Sequence, residues 1–130
     1  MKYLLDTNAV IKMTARHPGL ERRLHQEDPA EFGLSVIVRH ELYFGAYKSR
    51  DVQANLDKIA ALLFEIVPFD DEDARSAGTV RAGLSAAGTP IGPYDILIAG
   101  QALARDLTLI THNIREFSRV QGLRIEDWET

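Results

Sequence analysis

The stretch Lys2-Tyr3-Leu4-Leu5-Asp6-Thr7-Asn8 decides the fold of this chain, because it joins a short apolar run directly to a carboxylate. The run Lys2–Leu5 predicts a buried strand. A parallel strand that ends at Asp6 delivers the carboxylate to the carboxyl edge of the sheet, where such folds bind their ligands. The alternative is that Asp6 caps the helix that follows it, which is the more common role of a single Asp.

Outward from this stretch, strand-like and helix-like segments alternate along the chain. Buried strands are predicted over Lys2–Leu5, Phe32–Ser35, Phe64–Val67 and Leu107–Thr111, with a weaker fifth over Leu123–Ile125. Helices are predicted over about Pro18–Gln26, Val36–Lys48, Val52–Leu63, Asp71–Ala87 and Tyr94–Arg105. Strands joined by long helices form mostly parallel sheets that are covered on both faces. We therefore expect one α/β domain over residues 1–130, with a central sheet of four to five strands flanked by helices.

Composition and charge narrow the functional classes. The chain has 130 residues, 45% of them hydrophobic, and a formal net charge of −4. It has no cysteine, which excludes disulfides, thiolate metal sites and a cysteine nucleophile, and which suits a cytoplasmic protein. The first apolar run is too short for a signal peptide or a membrane span. The negative charge argues against long non-specific contact with nucleic acid, but not against a local basic rim.

Glu41 lies on the apolar side of the predicted helix Val36–Lys48. At 100° per residue it falls among Ile37, Val38 and the other apolar residues of that helix. A carboxylate that faces inward must be paired, protonated or bound to a cation. A buried salt bridge with Lys48 and a functional role are equally open at this point.

Two further polar residues begin helices. Asp95 follows the rigid segment Pro90–Pro93 and opens a helix that is apolar almost all round, so that its start lies inside the molecule. Asn113 follows the predicted strand Leu107–Thr111, and Glu116 three residues later completes the pattern of a capping box. Helix capping is the default interpretation for both Asp95 and Asn113.

Taken together, Asp6, Glu41, Asp95 and Asn113 are positions that a parallel sheet brings to one edge. Three carboxylates in one crevice repel each other unless a cation neutralises them. Oxygen ligands without cysteine or an HExxH-type His pair favour Mg²⁺ or Mn²⁺ over zinc. The sequence therefore predicts a site for a hard divalent cation.

This ordered set of residues resembles the PIN-domain family and, within it, the VapC toxins. The segments that carry the resemblance are Leu4–Asn8, Arg39–Ala46, Pro90–Asp95, Thr111–Asn113 and the closing Gly122–Trp128. No single motif is specific, but their order and spacing match along nearly the whole chain. The resemblance implies that Asp6, Glu41 and Asp95 are catalytic metal ligands, with Asn113 as a secondary catalytic residue that acts through a bound water.

One position departs from the family pattern. Many PIN domains have Asp where this chain has Asn113, so we expect one tightly held ion rather than two. Thr7, Asn8 and Thr111 are expected to orient the carboxylates or water. Capping of backbone groups is an equally open role for these three residues.

The resemblance also implies a function. It predicts a Mg²⁺-dependent endoribonuclease, with Mn²⁺ as a substitute, that leaves 5′-phosphate and 3′-hydroxyl ends. Such a toxin of a VapBC type II toxin–antitoxin module cleaves structured RNA to inhibit translation, and the close subgroup cuts initiator tRNA in the anticodon region. The implied partners are a VapB-type antitoxin that pushes a basic side chain into the crevice, and a second copy of the chain. Contact with DNA is expected only through the antitoxin, and contact with membranes is not expected.

RNA contacts are expected from basic and aromatic residues near the crevice, although for each basic residue an ordinary solvated face is the alternative. The basic candidates are Lys12, Arg16, Arg39, His40 and Lys48, followed by Arg22, Arg23 and Arg50. Tyr43 and Tyr47 share a helix face with His40, and either stack on unpaired bases or, with Phe44, form a dimer or partner interface.

The sequence agrees less well with three other functions. A phosphatase of the haloacid-dehalogenase type needs a second Asp two residues after the first, where this chain has Asn8, and is excluded. A PIN-like nuclease for flap DNA or ribosomal RNA precursors is disfavoured by the short length. A non-catalytic binding module would tolerate the loss of one carboxylate, whereas this chain keeps three.

Overall fold

A computed structural model describes residues 1–129 of the chain. Its strands are β1 Tyr3–Leu5, β2 Phe32–Ser35, β3 Glu65–Val67, β4 Thr108–Ile110 and β5 Ile125–Glu126. They form one sheet in the order β3-β2-β1-β4-β5, and every pairing in it is parallel. The predicted α/β class with a parallel central sheet is confirmed, and β1 lies at the centre of the sheet.

Helices connect the strands and cover the sheet. They are α1 Thr7–Thr14, α2 Pro18–His25, α3 Val36–Tyr47, α4 Val52–Ala60, α5 Asp71–Ala87, α6 Pro93–Ala104 and α7 Ile114–Phe117, with a short 3₁₀ turn at Pro29–Glu31. All five predicted helices are present. Helices α1 and α7 were expected only as the helices that Asp6 and Asn113 would cap, and they were given no bounds, because eight and four residues show too little periodicity.

Two predicted boundaries are wrong by several residues. The helix predicted to reach Leu63 ends at Ala60, and Leu63 is 92% exposed. The apolar run there contains no Gly or Pro to mark the end of the helix. The fifth strand is Ile125–Glu126 rather than Leu123–Ile125, since the chain first turns at Gly122, whose φ is 82°.

Helix α6 is the central buried helix, as its apolar sequence predicted. Ile98, Ala99 and Ala102 are fully buried in it. Gly100 faces α5 so closely that an added Cβ would lie 2.4 Å from the Cα of Ala77. The close contact fixes the position of α6 against α5, and with it the position of the residues at the start of α6.

The start and end of α5 follow its predicted punctuation. Asp70 accepts a bond from the backbone N–H of Asp73, whose own carboxylate accepts from the Asp70 N–H, which completes a capping box. Gly88 ends the helix in the left-handed region with φ 69°. Within residues 1–129, no helix combines the length and apolarity that crossing a membrane requires.

Candidate active site

Asp6 lies directly after the central strand and is 6% exposed. Its Oδ1 accepts a hydrogen bond of 2.8 Å from the backbone N–H of Ala9, so the predicted capping role is confirmed. Its Oδ2 accepts a 2.6 Å bond from the hydroxyl of Thr111, which follows the neighbouring strand β4. Burial raises the pKa of Asp6; the bonds from Thr111 and Ala9 oppose this, while nearby Glu129 and Glu41 add to it. Capping therefore uses one carboxylate oxygen of Asp6, and the other is oriented by a threonine.

Glu41 lies in the second turn of α3, the helix that follows β2. Its Oε1 accepts a 2.8 Å hydrogen bond from the hydroxyl of Thr7 at the start of α1. The salt bridge with Lys48 is not formed, since the Lys48 ammonium lies over the ring of Phe44, 4.8 Å from its centroid. Glu41 is half-buried, and its observed hydrogen bond comes from a neutral residue rather than a cation.

Asp95 is the third residue of α6 rather than its cap. The N-cap is Gly92, because Pro93 at the first helical position starts the helix earlier than predicted. The Asp95 Oδ2 lies 3.2 Å from the point where a Cβ on Gly92 would be, so the missing side chain gives the carboxylate room. Burial, followed by the charges of Glu41, Asp6 and Glu116, raises the pKa of Asp95 to about 6. The capping role proposed for Asp95 is therefore wrong.

The three carboxylates are close enough to interact electrostatically, because Glu41 and Asp6 both disfavour the charge on Asp95. Their oxygens do not all lie within 4.8 Å of one another. Mg²⁺ is usually bound through one or two carboxylates and keeps several waters, so a common ion does not require all three to touch it directly. In the described part of the chain Asp95 has no cationic partner, and such a set of oxygen donors fits a hard divalent ion.

Asn113 occupies the N-cap position of α7, but its side chain makes no capping bond, so the predicted capping box with Glu116 is not formed. The backbone N–H of Asn113 instead donates a 2.9 Å bond to the Thr111 hydroxyl. Thr111 thus links Asn113 to Asp6. Glu116, considered in the sequence only as a capping residue, contributes negative charge to Asp95.

The polar residues expected to orient the carboxylates differ in their positions. Thr7 and Thr111 each donate a hydroxyl bond to a site carboxylate, as described above. Asn8 is exposed on α1, and the bonds to Asp6 and Glu41 found in residues 1–129 come from other residues. We therefore assign no orienting contact to Asn8.

A second cluster, missed in the sequence, lies beside the first. Ligand atoms of His112, Asp127 and Glu129 lie within 4.8 Å of one another. His112 Nδ1 is 2.9 Å from Asp127 Oδ2, and the buried Glu129 carboxylate is 2.9 Å from the Lys12 ammonium. These acids follow β5 at the same edge of the sheet, so the parallel topology could have predicted them once β5 was placed correctly.

Several of the basic candidates are engaged within the chain. Lys12 pairs with Glu129, and Arg39 donates a 2.6 Å bond to the Tyr43 hydroxyl. Arg23 lies over the Trp128 ring, 4.5 Å from its centroid. Arg16 is exposed just after α1, in the left-handed region with φ 60°. Arg22 and Arg50, also named above, lie on α2 and after α3.

Aromatic side chains line α3 and the start of α6. The rings of His40 and Tyr94 have centroids 5.3 Å apart, and those of Tyr43 and Tyr47 are 6.5 Å apart and nearly parallel. Phe44 is 60% exposed on the same helix. Of these residues, Tyr94 was not singled out in the sequence, although it directly precedes Asp95.

Comparison with known proteins gives a consistent result. The sequence profile of the PIN domain matches residues 3–123. The tRNA(fMet)-specific endonuclease VapC of Salmonella typhimurium is 38% identical over 130 residues, which cover 98% of each chain. In the crystal structure of DNA-bound VapBC from Salmonella typhimurium, a chain with 37% identity superposes with a TM-score of 0.93, covering 98% of both chains. VapBC2 from Rickettsia felis, bound to a DNA fragment from its promoter, gives a TM-score of 0.90 at 34% identity, covering 98% of this chain and 99% of that one.

Proposed function

Since this chain belongs to the PIN-domain family and, within it, to the VapC ribonucleases, we propose that it is a divalent-cation-dependent endoribonuclease and the toxin of a VapBC toxin–antitoxin pair. The observation that carries the proposal is the position of Asp95. Its half-buried carboxylate lies near Glu41 and Asp6, has no cationic partner among residues 1–129, and has a pKa raised to about 6. Because burial and the neighbouring carboxylates destabilise the negative charge of Asp95, a divalent cation bound there would stabilise it.

Asp6, Glu41 and Asp95 would hold one Mg²⁺, with Mn²⁺ as a substitute. When bound, the ion supplies a water of lowered pKa and offsets the charge of the phosphoryl oxygens. Thr111 and the Ala9 N–H keep the Asp6 carboxylate in one orientation.

The other parts of the site hold the remaining groups in place. Thr7 fixes Glu41 through its hydroxyl. Asn113 is positioned by its N–H on Thr111, which leaves its amide available for a water or a phosphate oxygen. Without a cation, the acids of the crevice repel a phosphodiester, so a chelator should stop cleavage.

For the substrate, we propose initiator tRNA cut in the anticodon region, with 5′-phosphate and 3′-hydroxyl ends and loss of translation in the cytoplasm. Two observations support this choice. A relative with 38% identity over 98% of both chains carries the name tRNA(fMet)-specific endonuclease. The exposed rings near the carboxylates are of the kind that contact unpaired bases.

For the partners, we propose a VapB antitoxin and a second copy of this chain. Three solved structures with the same fold at more than 30% identity are VapBC complexes, two of them bound to DNA. The acidic crevice is a suitable receptor for a basic side chain of the antitoxin, and DNA would be reached through the antitoxin. We also propose that residues 1–130 act as one PIN domain, since the family match and the sheet span nearly the whole chain.

The test compares wild type with Asp6→Asn on initiator tRNA in Mg²⁺. Asn keeps an acceptor for the helix cap but removes the charge, so folding is retained while ion binding is lost. We expect cleavage to fall by about 10³-fold or more, and to stop in EDTA, with the product ends identified by sequencing.

A matched control is Asp106→Asn, which removes an exposed carboxylate before β4, at the opposite end of the strand from the site. It should cleave like the wild type. Elongator methionine tRNA serves as the substrate control. Equal rates for wild type and Asp6→Asn would end the proposal of an enzyme.

A further inference from the structure

Two exposed rings lie one residue before two of the site carboxylates. His40 precedes Glu41 on α3, and Tyr94 precedes Asp95 on α6. Their ring centroids are 5.3 Å apart with an angle of 54° between the planes, although they lie 54 residues apart in the chain. We propose that Tyr94 and His40 form a stacking pair that binds an unpaired base next to the scissile phosphate. This inference rests on the proposed ribonuclease activity.

The Tyr94 ring is not part of the packing that stabilises the fold. Tyr94 is 45% exposed and does not belong to the hydrophobic core or to the side chains packed against it. Its position is nevertheless well defined, because it follows Pro93 at the first turn of a buried helix. An exposed aromatic ring on a well-defined backbone is a feature of binding surfaces rather than of packing.

The two rings also lie close to the site carboxylates along the chain. Adjacent Cα atoms are about 3.8 Å apart, so the ring of Tyr94 and the carboxylate of Asp95 start from neighbouring points. Successive residues of a helix point about 100° apart, so the ring flanks the carboxylate and does not cover it. The same holds for His40 and Glu41. A nucleotide whose phosphate lies at the carboxylates can therefore place its base on the rings.

The negative charge of the crevice also favours stacking over ionic contacts with the RNA. The crevice is acidic, and two of the basic residues near it are already engaged, Lys12 with Glu129 and Arg39 with Tyr43. Stacking of a base on an aromatic ring does not depend on the sign of the surrounding charge. It also selects unpaired bases, since both faces of a base inside a helix are covered by the neighbouring base pairs. The rings thus provide affinity where cations are scarce, and they direct cleavage to loops rather than stems.

The test measures KM and kcat for Tyr94→Leu and Tyr94→Phe on the anticodon stem–loop of initiator tRNA. Leu removes the ring, and Phe keeps it without the hydroxyl. We expect Tyr94→Leu to raise KM about 10-fold or more with kcat within about 3-fold of wild type, and Tyr94→Phe to retain most of the affinity. Leu63→Ala is the control, since it removes an exposed apolar side chain that lies before β3, at the end of the sheet opposite to the site.

A second substrate, abasic at each nucleotide next to the cut in turn, isolates the stacking. On the RNA that lacks the stacked base, wild type should bind as weakly as Tyr94→Leu, and the mutation should have no further effect. The inference is overturned if Tyr94→Leu weakens intact and abasic RNA equally, or if Leu63→Ala has the same effect. It is also overturned if RNA kinetics stay unchanged while Tyr94→Leu breaks dimers or antitoxin binding, which would make the ring a protein contact.

The outcomes separate this inference from the function on which it rests. If wild type cleaves the stem–loop, Asp6→Asn does not, and Tyr94→Leu cleaves like wild type, then only the stacking pair is wrong. If wild type and Asp6→Asn are equally inactive on every RNA offered, the proposed function fails and the stacking pair fails with it.

Discussion

Asp73 is buried and Asp95 is half-buried, and they differ in how their negative charges are compensated. Asp73 is 1% exposed, but Arg105 donates two bonds to it, of 3.0 and 3.2 Å, and Gln101 donates a third. Burial raises the pKa of Asp73, but the hydrogen bonds from Arg105, the Asp70 N–H and Gln101 outweigh it, so the pKa is lowered overall. Asp95 has no such partner among the residues that the structure describes, and its pKa is raised to about 6.

The difference between Asp73 and Asp95 separates a carboxylate that stabilises the fold from one that is available for function. The charge of Asp73 is neutralised by the chain itself and ties α5 to α6. The charge of Asp95 is opposed by its neighbours, and we propose that a cation from outside neutralises it. Active sites commonly keep such unfavourable arrangements at the expense of stability. Substitutions can test this contrast between Asp73 and Asp95.

The largest effect is expected for Asp95→Asn on activity. Removing this charge should lower RNA cleavage by about 10³-fold or more, because the ion loses one of its three carboxylates. Single-turnover cleavage at saturating Mg²⁺ measures it. Asp73→Asn, assayed at a temperature where it is folded, should cleave like wild type. Equal losses of cleavage in both variants would show that Asp95 matters no more for activity than Asp73 does.

Asp73→Asn should instead have the larger effect on stability. Breaking a buried ion pair leaves a charge without its partner and costs about 3 kcal/mol, near the lower end of the usual range because Arg105 still reaches solvent. Urea unfolding followed by circular dichroism measures the change. A loss below about 0.5 kcal/mol would mean that the Asp73–Arg105 pair does not hold α5 and α6 together.

The pH dependence of stability without metal should differ in sign between the two sites. The folded state holds the Asp95 proton more tightly than the unfolded state, so this contribution is full below the ordinary pKa near 3.8 and is lost as pH rises through about 6. In EDTA, Asp95→Asn should therefore be about 1–2 kcal/mol more stable than wild type at pH 8 and equal to it at pH 4. For Asp73 the pKa is lowered, so its contribution is present above the ordinary value and is lost in acid.

Thermal unfolding in EDTA and in Mg²⁺ completes this test. Added Mg²⁺ should stabilise wild type and leave Asp95→Asn unchanged, since only the wild type binds the ion in its folded state. If Asp95→Asn were less stable than wild type at pH 8 without metal, Asp95 would have an internal partner and the contrast would be wrong.

The smallest effect is expected for Thr111→Val. The substitution keeps the shape but removes the hydroxyl that donates to Asp6 and accepts from the Asn113 N–H. We expect kcat to fall by about 10-fold and stability by about 1 kcal/mol. Thr79→Val is the matched control, since its exposed hydroxyl bonds only to the Arg75 carbonyl of its own helix. Unchanged kcat in Thr111→Val would show that Asp6 does not need this orientation.

Local sequence patterns predicted much of the fold. Apolar runs and helical spacing located β2 and α5 to the residue, and most other elements within a few residues. The two-residue strand β5 was displaced and the four-residue helix α7 was given no bounds, because neither shows a period. The short strands β1 to β4 were recognised instead by their continuous apolar runs.

The sequence by itself determined the class of the fold and the order of Asp6, Glu41 and Asp95 along it, since strand ends and helix starts are local features. Only the tertiary structure decided which acids are neutralised and which are not. The Arg105 that neutralises Asp73 lies 32 residues away, and the Thr111 that orients Asp6 lies 105 residues away. Electrostatic partners act through space, and their identity therefore depends on how distant segments pack.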